Sequence, residues 1–237
     1  MRFVLILFFI GCSFLLVQAQ TQSEVSAKII ADSLQTKPDT LKSFLLKKEQ
    51  PLFYSPQFHN QNTTIFSKIL LGTGYVFSYN ACMGLFLVLA PDNITMWGRD
   101  DKFKLPVILS QYQSTFTKSP VFDHDLWYIN YVGHSYQGAY YYNSIRSQGA
   151  AVFQSSLFCL GQSFLWEYLW EGGMEQPSIQ DLIVTPVFGI LLGELSHVAT
   201  LRMSKDGFTG FEKVLICIIN PSFAINNGFK VKRIIKY

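Results

Sequence analysis

Apolar positions along the chain fall in long blocks separated by short polar or Gly/Pro-rich breaks. The first is residues 3–17, interrupted only by Gly11, Cys12 and Ser13. The second is residues 65–90, with Lys68 near its start and Ser78, Tyr79 and Asn80 in its middle; Gln61-Asn62-Thr63-Thr64 offers N-cap residues before it and Pro91-Asp92-Asn93 stops it. Such a block has the length of a membrane span, while Gly72, Gly74 and the Ser-Tyr-Asn triplet also suit a buried helix. A charged, turn-like stretch at 97–104 is followed by a mixed segment to Pro120 with room for a short amphipathic helix.

Over residues 123–146 no proline occurs, and Trp127, Asn130, His134, Gln137 and Tyr141 recur at spacings of three and four, which puts them on one partly polar helix stripe. Gly149 breaks the chain. Residues 150–170 predict an aromatic-rich helix in which Phe164, Trp166, Tyr168 and Trp170 surround Glu167 and Glu171, and Gly172-Gly173 ends it. Ser178 is the expected N-cap of the next helix, residues 179–203, with Asp181 at the capping-box position. Pro186 predicts a kink in it, and Gly189 and Gly193 have the spacing that lets two helices approach closely. A final apolar piece, 211–219, stops at Asn220-Pro221. Residues 230–237 alternate basic and apolar positions as a short edge strand or interfacial tail would. The expected fold class is all-α: a bundle of four to five apolar helices, apolar on nearly all sides and so expected to be membrane-associated.

The first block has the form of a secretory signal peptide: Arg2, then the apolar run, then Val17 and Ala19 at the positions preceding cleavage after Ala19. A lipoprotein box at Ile10-Gly11-Cys12 and a retained anchor are the rival readings. The apolar run continues past Cys12, and it is short for a span. Residues 20–61 are polar, with Pro38, Pro51 and Pro56, and form an expected leader with little structure of its own; residues 62–237 are the expected helical domain. Cys82, Cys159 and Cys217 remain after signal removal. Their odd number and wide separation argue against a disulfide framework and for buried thiols.

The 237 residues are 49% hydrophobic and 15% charged, too apolar for a disordered chain. The net charge is +3, with Lys230, Lys232, Arg233 and Lys236 concentrated at the end, so no broad basic face for nucleic acid is expected. Membrane lipid is the expected partner; a protein partner is left open. Asn62-Thr63-Thr64 and Asn93-Ile94-Thr95 match the glycosylation acceptor pattern, which matters only in a eukaryotic secretory pathway.

Acids within apolar helices single out the candidate site. Antiparallel packing of the three central helices would gather His134, Arg146, Glu167, Glu171 and Asp181 into one polar core. In a structural reading Arg146 neutralises a glutamate, His134 hydrogen-bonds an acid and Asp181 caps its helix. In a functional reading His134 serves as base among the acids Glu167, Glu171 and Asp181, which hold a divalent ion or polarise a water, while Arg146, with Asn130 and Glu194, binds substrate such as a lipid phosphate. Glu194-x-x-His197 has di-iron spacing, but a second such pair and two further glutamates are missing, so it reads as a solvated helix end; no metal and no cofactor is assigned. Asp123-His124-Asp125 reads as a helix-start cap.

The ordered words Asp125-x-Trp127, Asn130-Tyr131-x-Gly133-His134, Gly138-x-x-Tyr141-Tyr142, Arg146-x-x-Gly149, Trp166-Glu167-Tyr168, Glu171, and Glu175-x-Pro177-Ser178-x-x-Asp181-Leu182-x-x-Thr185-Pro186-x-x-Gly189-x-x-x-Gly193-Glu194 cover about a third of the chain. In them the sequence resembles a bacterial family known as domain of unknown function 3943, typical of Bacteroidetes envelopes, with a family-like core at 123–203. The family's usual His-Pro stands here as His134-Ser135, which puts the turn expected from that proline in doubt. The Glu, Pro-Ser, Asp and Gly-x-x-x-Gly order is more loosely similar to VanZ-like membrane proteins. Both resemblances imply a helical envelope protein and neither brings an activity. The reading is an exported, membrane-associated envelope protein with a buried polar core. The alternatives are a hydrolase or transferase acting on an envelope lipid or its phosphate group, and a module that binds a partner or anionic headgroups through its leader or basic tail.

Overall fold

The computed structural model describes residues 63–95, 97, 103–122 and 124–229. The signal segment, the leader up to residue 61, Asp123 and the basic tail lie outside the described residues. Thr64 caps the first helix, α1 (Ile65–Leu89), by accepting the Ser67 amide at 3.2 Å, and Pro91 follows its end. The buried positions of α1 are Ile65, Lys68, Gly72, Val76 and Asn80, a stripe one residue wide. Phe66, Leu70, Phe77, Leu85, Phe86 and Leu89 face outward. Two shorter helices follow, α2 (Asp92–Thr95) and α3 (Leu105–Thr117), the second with a proline in its first turn, where a missing amide is harmless.

The expected helix over 123–146 is divided. A wide, π-type turn at Ile129–Gly133 precedes α4 (His134–Arg146). The Ser135 hydroxyl donates to the Tyr131 carbonyl at 2.5 Å, and the irregular turn forms with no proline at this position. Of the expected partly polar stripe, Asn130, His134, Gln137 and Tyr141 are buried, while Trp127, which precedes the wide turn, is exposed. Gly149, at φ 84°, reverses the chain into α5 (Val152–Leu165), which ends in a second wide turn at Trp166–Trp170. Then α6 (Ile179–Met203) runs on through Pro186 as one continuous helix. Two short helices close the described part, α7 (Gly210–Ile219) and α8 (Pro221–Asn227). Among the described residues the fold is all-α, with a single isolated bridge between Val121 and Ser178. Eight α-helices, most of them short, stand among the described residues where four to five were expected.

Every residue of α4 except Tyr136 is buried, although the helix is rich in Gln, Asn, Ser and Tyr. Its neighbours supply the hydrogen bonds. Asn143 Nδ2 donates to the Gly193 carbonyl and to Ser196 Oγ, both at 3.0 Å, on α6. Tyr141 donates to Asn80 Oδ1 of α1 at 2.7 Å, and Asn226 of α8 donates to Ser147 Oγ at 2.6 Å. Among the described residues more polar and charged side chains are buried than apolar ones, while α1, α6 and α7 carry exposed Leu, Ile, Val and Phe.

Glycines make the close approach possible. A methyl group on Gly138 would run into the Thr185 carbonyl, and one on Gly189 would lie 2.5 Å from Gly138 Cα, so α4 and α6 touch backbone to backbone there. Gly193 lets the Tyr142 ring sit where its own Cβ would be, 2.7 Å from Tyr142 Cδ1. The expected role of the Gly189/Gly193 pair is realised against α4. The contact order His134 to Asp181, Gly138 to Gly189 and Arg146 to Glu194 shows that α4 and α6 run parallel, with α5 connecting the end of the one to the start of the other.

Gly189→Ala should lower stability by about 1–3 kcal/mol, the range for overfilling a packed contact. Gly74→Ala on α1, where a Cβ would meet nothing within 4 Å, should be neutral or stabilising. Thermal unfolding of the purified variants measures both.

Candidate functional site

Parallel packing of α4 and α6 brings helix start to helix start and helix end to helix end. His134 opens α4 and Arg146 closes it; twelve residues at 1.5 Å rise separate them by about 18 Å. The charged residues therefore form two groups, and the expected single core holding all five is corrected: Arg146 cannot reach the acids at the other end.

At the far end, Arg146 is 2% exposed and makes a two-pronged pair with Glu194, Nε to Oε2 at 2.9 Å and Nη2 to Oε1 at 3.1 Å. Its Nη1 donates to the Ala150 carbonyl at 3.0 Å, and Tyr142 donates to Glu194 Oε2 at 2.5 Å. This engagement leaves the guanidinium no free edge for a substrate phosphate, contrary to the expected role of Arg146 and Glu194 as substrate contacts. His197 is fully buried beside this pair's helix face and Glu194 is only partly exposed, so the pair Glu194-x-x-His197 is not the solvated helix end expected.

At the near end, His134, Glu167 and Asp181 are all buried, and each presents a nitrogen or oxygen within 4.8 Å of the others. His134 Nδ1 lies 3.0 Å from Thr185 Oγ1, and Nε2 lies 3.8 Å from Asp181 Oδ2. Ser178 caps α6 as expected, its Oγ accepting the Asp181 amide at 3.1 Å. The reciprocal half of the capping box comes from elsewhere: the Ser178 amide donates to Glu167 Oε2 at 2.9 Å. Glu167, delivered by the wide turn after α5, thus closes the α6 cap and lets the Asp181 carboxylate turn towards His134.

Around this trio lies an acidic rim. Glu171 Oε2 accepts the Trp166 indole N–H at 2.6 Å, and Glu175 Oε1 accepts that of Trp97 at 3.1 Å. Removal from water, then the neighbouring Glu175 and Glu167 carboxylates, push Glu171 well above the usual carboxylate range, so it keeps its proton to higher pH. A cleft of about 80 Å³ opens here, lined by His134, Gln137, Trp166, Glu171, Asp125 and Thr95 among others. Asn130 is buried one turn before His134 and is not among the cleft residues. His124 is exposed, and Asp125, expected as part of a helix-start cap, lines the cleft. Thr185, Thr95 and Trp97 belong to this site and were not anticipated; the i+4 spacing of Asp181 and Thr185 was the one available sign for Thr185.

Of the three described cysteines, Cys159 is buried, donating to the Gly138 carbonyl at 3.3 Å, while Cys82 and Cys217 are exposed. All are free, as expected, though only one is the buried thiol anticipated.

Residues 119–222 match the family model described as Domain of unknown function (DUF3943). That segment contains α4, α5, α6 and α7 and every residue of both charged groups, and the resemblance read from the motif order is borne out. No curated protein matches the chain, and no solved structure does.

Arg146→Ala should lower stability by about 3–5 kcal/mol, because it strands Glu194 in a mostly desolvated position. Arg146→Met combined with Glu194→Leu should recover most of that loss, since an apolar pair of similar volume leaves no charge behind. Chemical unfolding of the three proteins decides this.

Proposed function

With residues 119–222 carrying a DUF3943 domain, we propose that the chain is an exported bacterial cell-envelope protein whose helices are embedded in a membrane, with lipid as its surrounding partner. One observation carries the reading: polarity is inverted. Polar α4 sits at the centre, and the outward faces of its neighbours are apolar, Phe77 and Leu89 on α1, Val187, Leu191 and Leu195 on α6, Phe211 and Val214 on α7. Water around such a surface would be unfavourable at roughly 25 cal/mol per Å² of exposed apolar area, and exposed patches this continuous mark contact with lipid or another protein. Both α1 and α6 have 25 residues, about 37 Å of helix, enough to cross a hydrocarbon core of about 30 Å. The apolar run before Ala19 supplies the export signal in this reading.

A second reading, hydrolysis or transfer at an envelope lipid or its phosphate group, draws on the cleft, where His134 and Glu171 stand close to the apolar side chains of Met83, Leu87 and Ile94. It has to work without Arg146 as an anion clamp.

Full-length protein expressed in a bacterial host should stay in the membrane pellet through an alkaline carbonate wash, come out only with detergent, and begin at Gln20 on N-terminal sequencing. Release into the wash as a soluble, monodisperse protein would remove the membrane from the account.

A further inference from the structure

The trio at the start of α4 and α6 has the make-up of a metal site. We propose that His134, Glu167 and Asp181 bind one divalent first-row transition ion, of which zinc is the simplest representative. Three observations lead there independently.

The first is the donor set and its spacing. One imidazole and two carboxylates suit zinc, iron(II) or manganese better than the all-oxygen shells of magnesium and calcium. Ligands bound at about 2.1 Å to one ion lie roughly 3–4 Å apart. His134 Nε2 and Asp181 Oδ2 stand at 3.8 Å, and all three donors fall within 4.8 Å of one another, so small side-chain rotations close the set.

The second is how the donors are held. A ligating histidine characteristically gives its other ring N–H to a fixed acceptor, which sets the tautomer and aims the lone pair. Thr185 Oγ1 is in that position, 3.0 Å from His134 Nδ1, with Nε2 directed at Asp181. Glu167 is anchored in the same way through the Ser178 amide on Oε2. Each ligand comes from a helix terminus fixed by packing: the wide turn before α4, the wide turn after α5, and the capped first turn of α6.

The third is the cleft. Thr95 is 3% exposed, its hydroxyl makes no hydrogen bond, and it lines the same cleft as His134 and Glu171. A buried hydroxyl left this way is unfavourable unless something occupies the space beside it. Of the three ligands His134 borders this cleft, whose volume of about 80 Å³ holds a few waters next to the imidazole. The site goes beyond the membrane reading and does not depend on it.

The test uses the full-length chain, purified from whichever fraction holds it and stripped with EDTA. Titration with zinc chloride alone should show one equivalent bound per chain and a higher melting temperature. Cobalt(II) should give visible d–d bands with an imidazole nitrogen signature by pulsed EPR. Glu167→Gln and Asp181→Asn should each weaken zinc binding at least tenfold, and Thr185→Val should weaken it about 10–100-fold through the loosened imidazole. Glu212→Gln, on exposed α7, should bind as the parent does. No stoichiometric binding by the parent protein, or binding that survives Glu167→Gln combined with Asp181→Asn, overturns the proposal. Should those variants fail to fold, a cobalt spectrum of the parent without imidazole nitrogen overturns it equally.

Discussion

The structure depends on keeping α4 wholly enclosed. A helix of thirteen residues with twelve buried, among them Gln137, Asn143, Ser144 and Arg146, stays out of water by pairing its polar side chains, Gln137 with Tyr141 and Ser144 with the Tyr140 carbonyl within the helix, and Asn143 and Arg146 with α6. The neighbours bond to α4 and to the turn that follows it: α1 offers Asn80 to Tyr141 and the Lys68 carbonyl to Gln148, α6 offers Gly193, Ser196 and Glu194 to Asn143 and Arg146, and α8 offers Asn226 and Asn227 to Ser147. Since such bonds work only at short range, the helices must approach closely, and glycines stand at the crossings, Gly72 against Ile145 and Gly138 against Gly189. An interior held together by hydrogen bonds leaves the apolar side chains of the wrapping helices on the outside. In lipid that arrangement is favourable on both sides, because the interior hydrogen bonds pair polar groups that would be costly in hydrocarbon while the apolar faces meet chains of their own kind.

The same geometry explains why the charges form two centres of different character. Up-down-up order makes α4 and α6 parallel, so their starts converge and their ends converge. At the ends, a positive and a negative group neutralise each other with nearly ideal two-pronged geometry, and Tyr142 and Ala150 complete the shells; this is a clasp. At the starts, carboxylates outnumber cations: Glu167, Asp181 and His134 converge, with Glu171 and Glu175 on the rim. Helix N-termini favour negative charge there, and a divalent ion would complete the balance.

Much of this was legible in the chain. Thr64 and Ser178 as caps, Pro91 as a stop, Gly149 as the reversal and Gly189/Gly193 as a contact face are local signals, and local signals survive folding. The motif order from Asp125 to Glu194 carried the family resemblance, which the match over residues 119–222 bears out. What the sequence could not convey was direction. Spacing put His134 and Arg146 on one helix and Glu167, Asp181 and Glu194 on others, but which acid meets Arg146 depends on whether α4 and α6 are parallel. The wide turns at Ile129–Gly133 and Trp166–Trp170 were also hidden, since an extra residue in a helical turn is set by what it must deliver. Here that is His134 and Glu167. The use of Glu167 to cap α6 from another helix, with the Asp181 carboxylate turned towards His134, has no signature in residue spacing.

The central claim is that polarity is inverted because lipid surrounds the helices. It is tested most directly by labelling the protein in reconstituted liposomes with a photoactivatable acyl-chain lipid and mapping the modified peptides. The account predicts label concentrated on the outward faces of α1 and α6, around Phe77, Leu85, Leu191 and Leu195, with none on α4. Label absent from those faces, with the same residues accessible to a water-soluble carbene reagent, would contradict it.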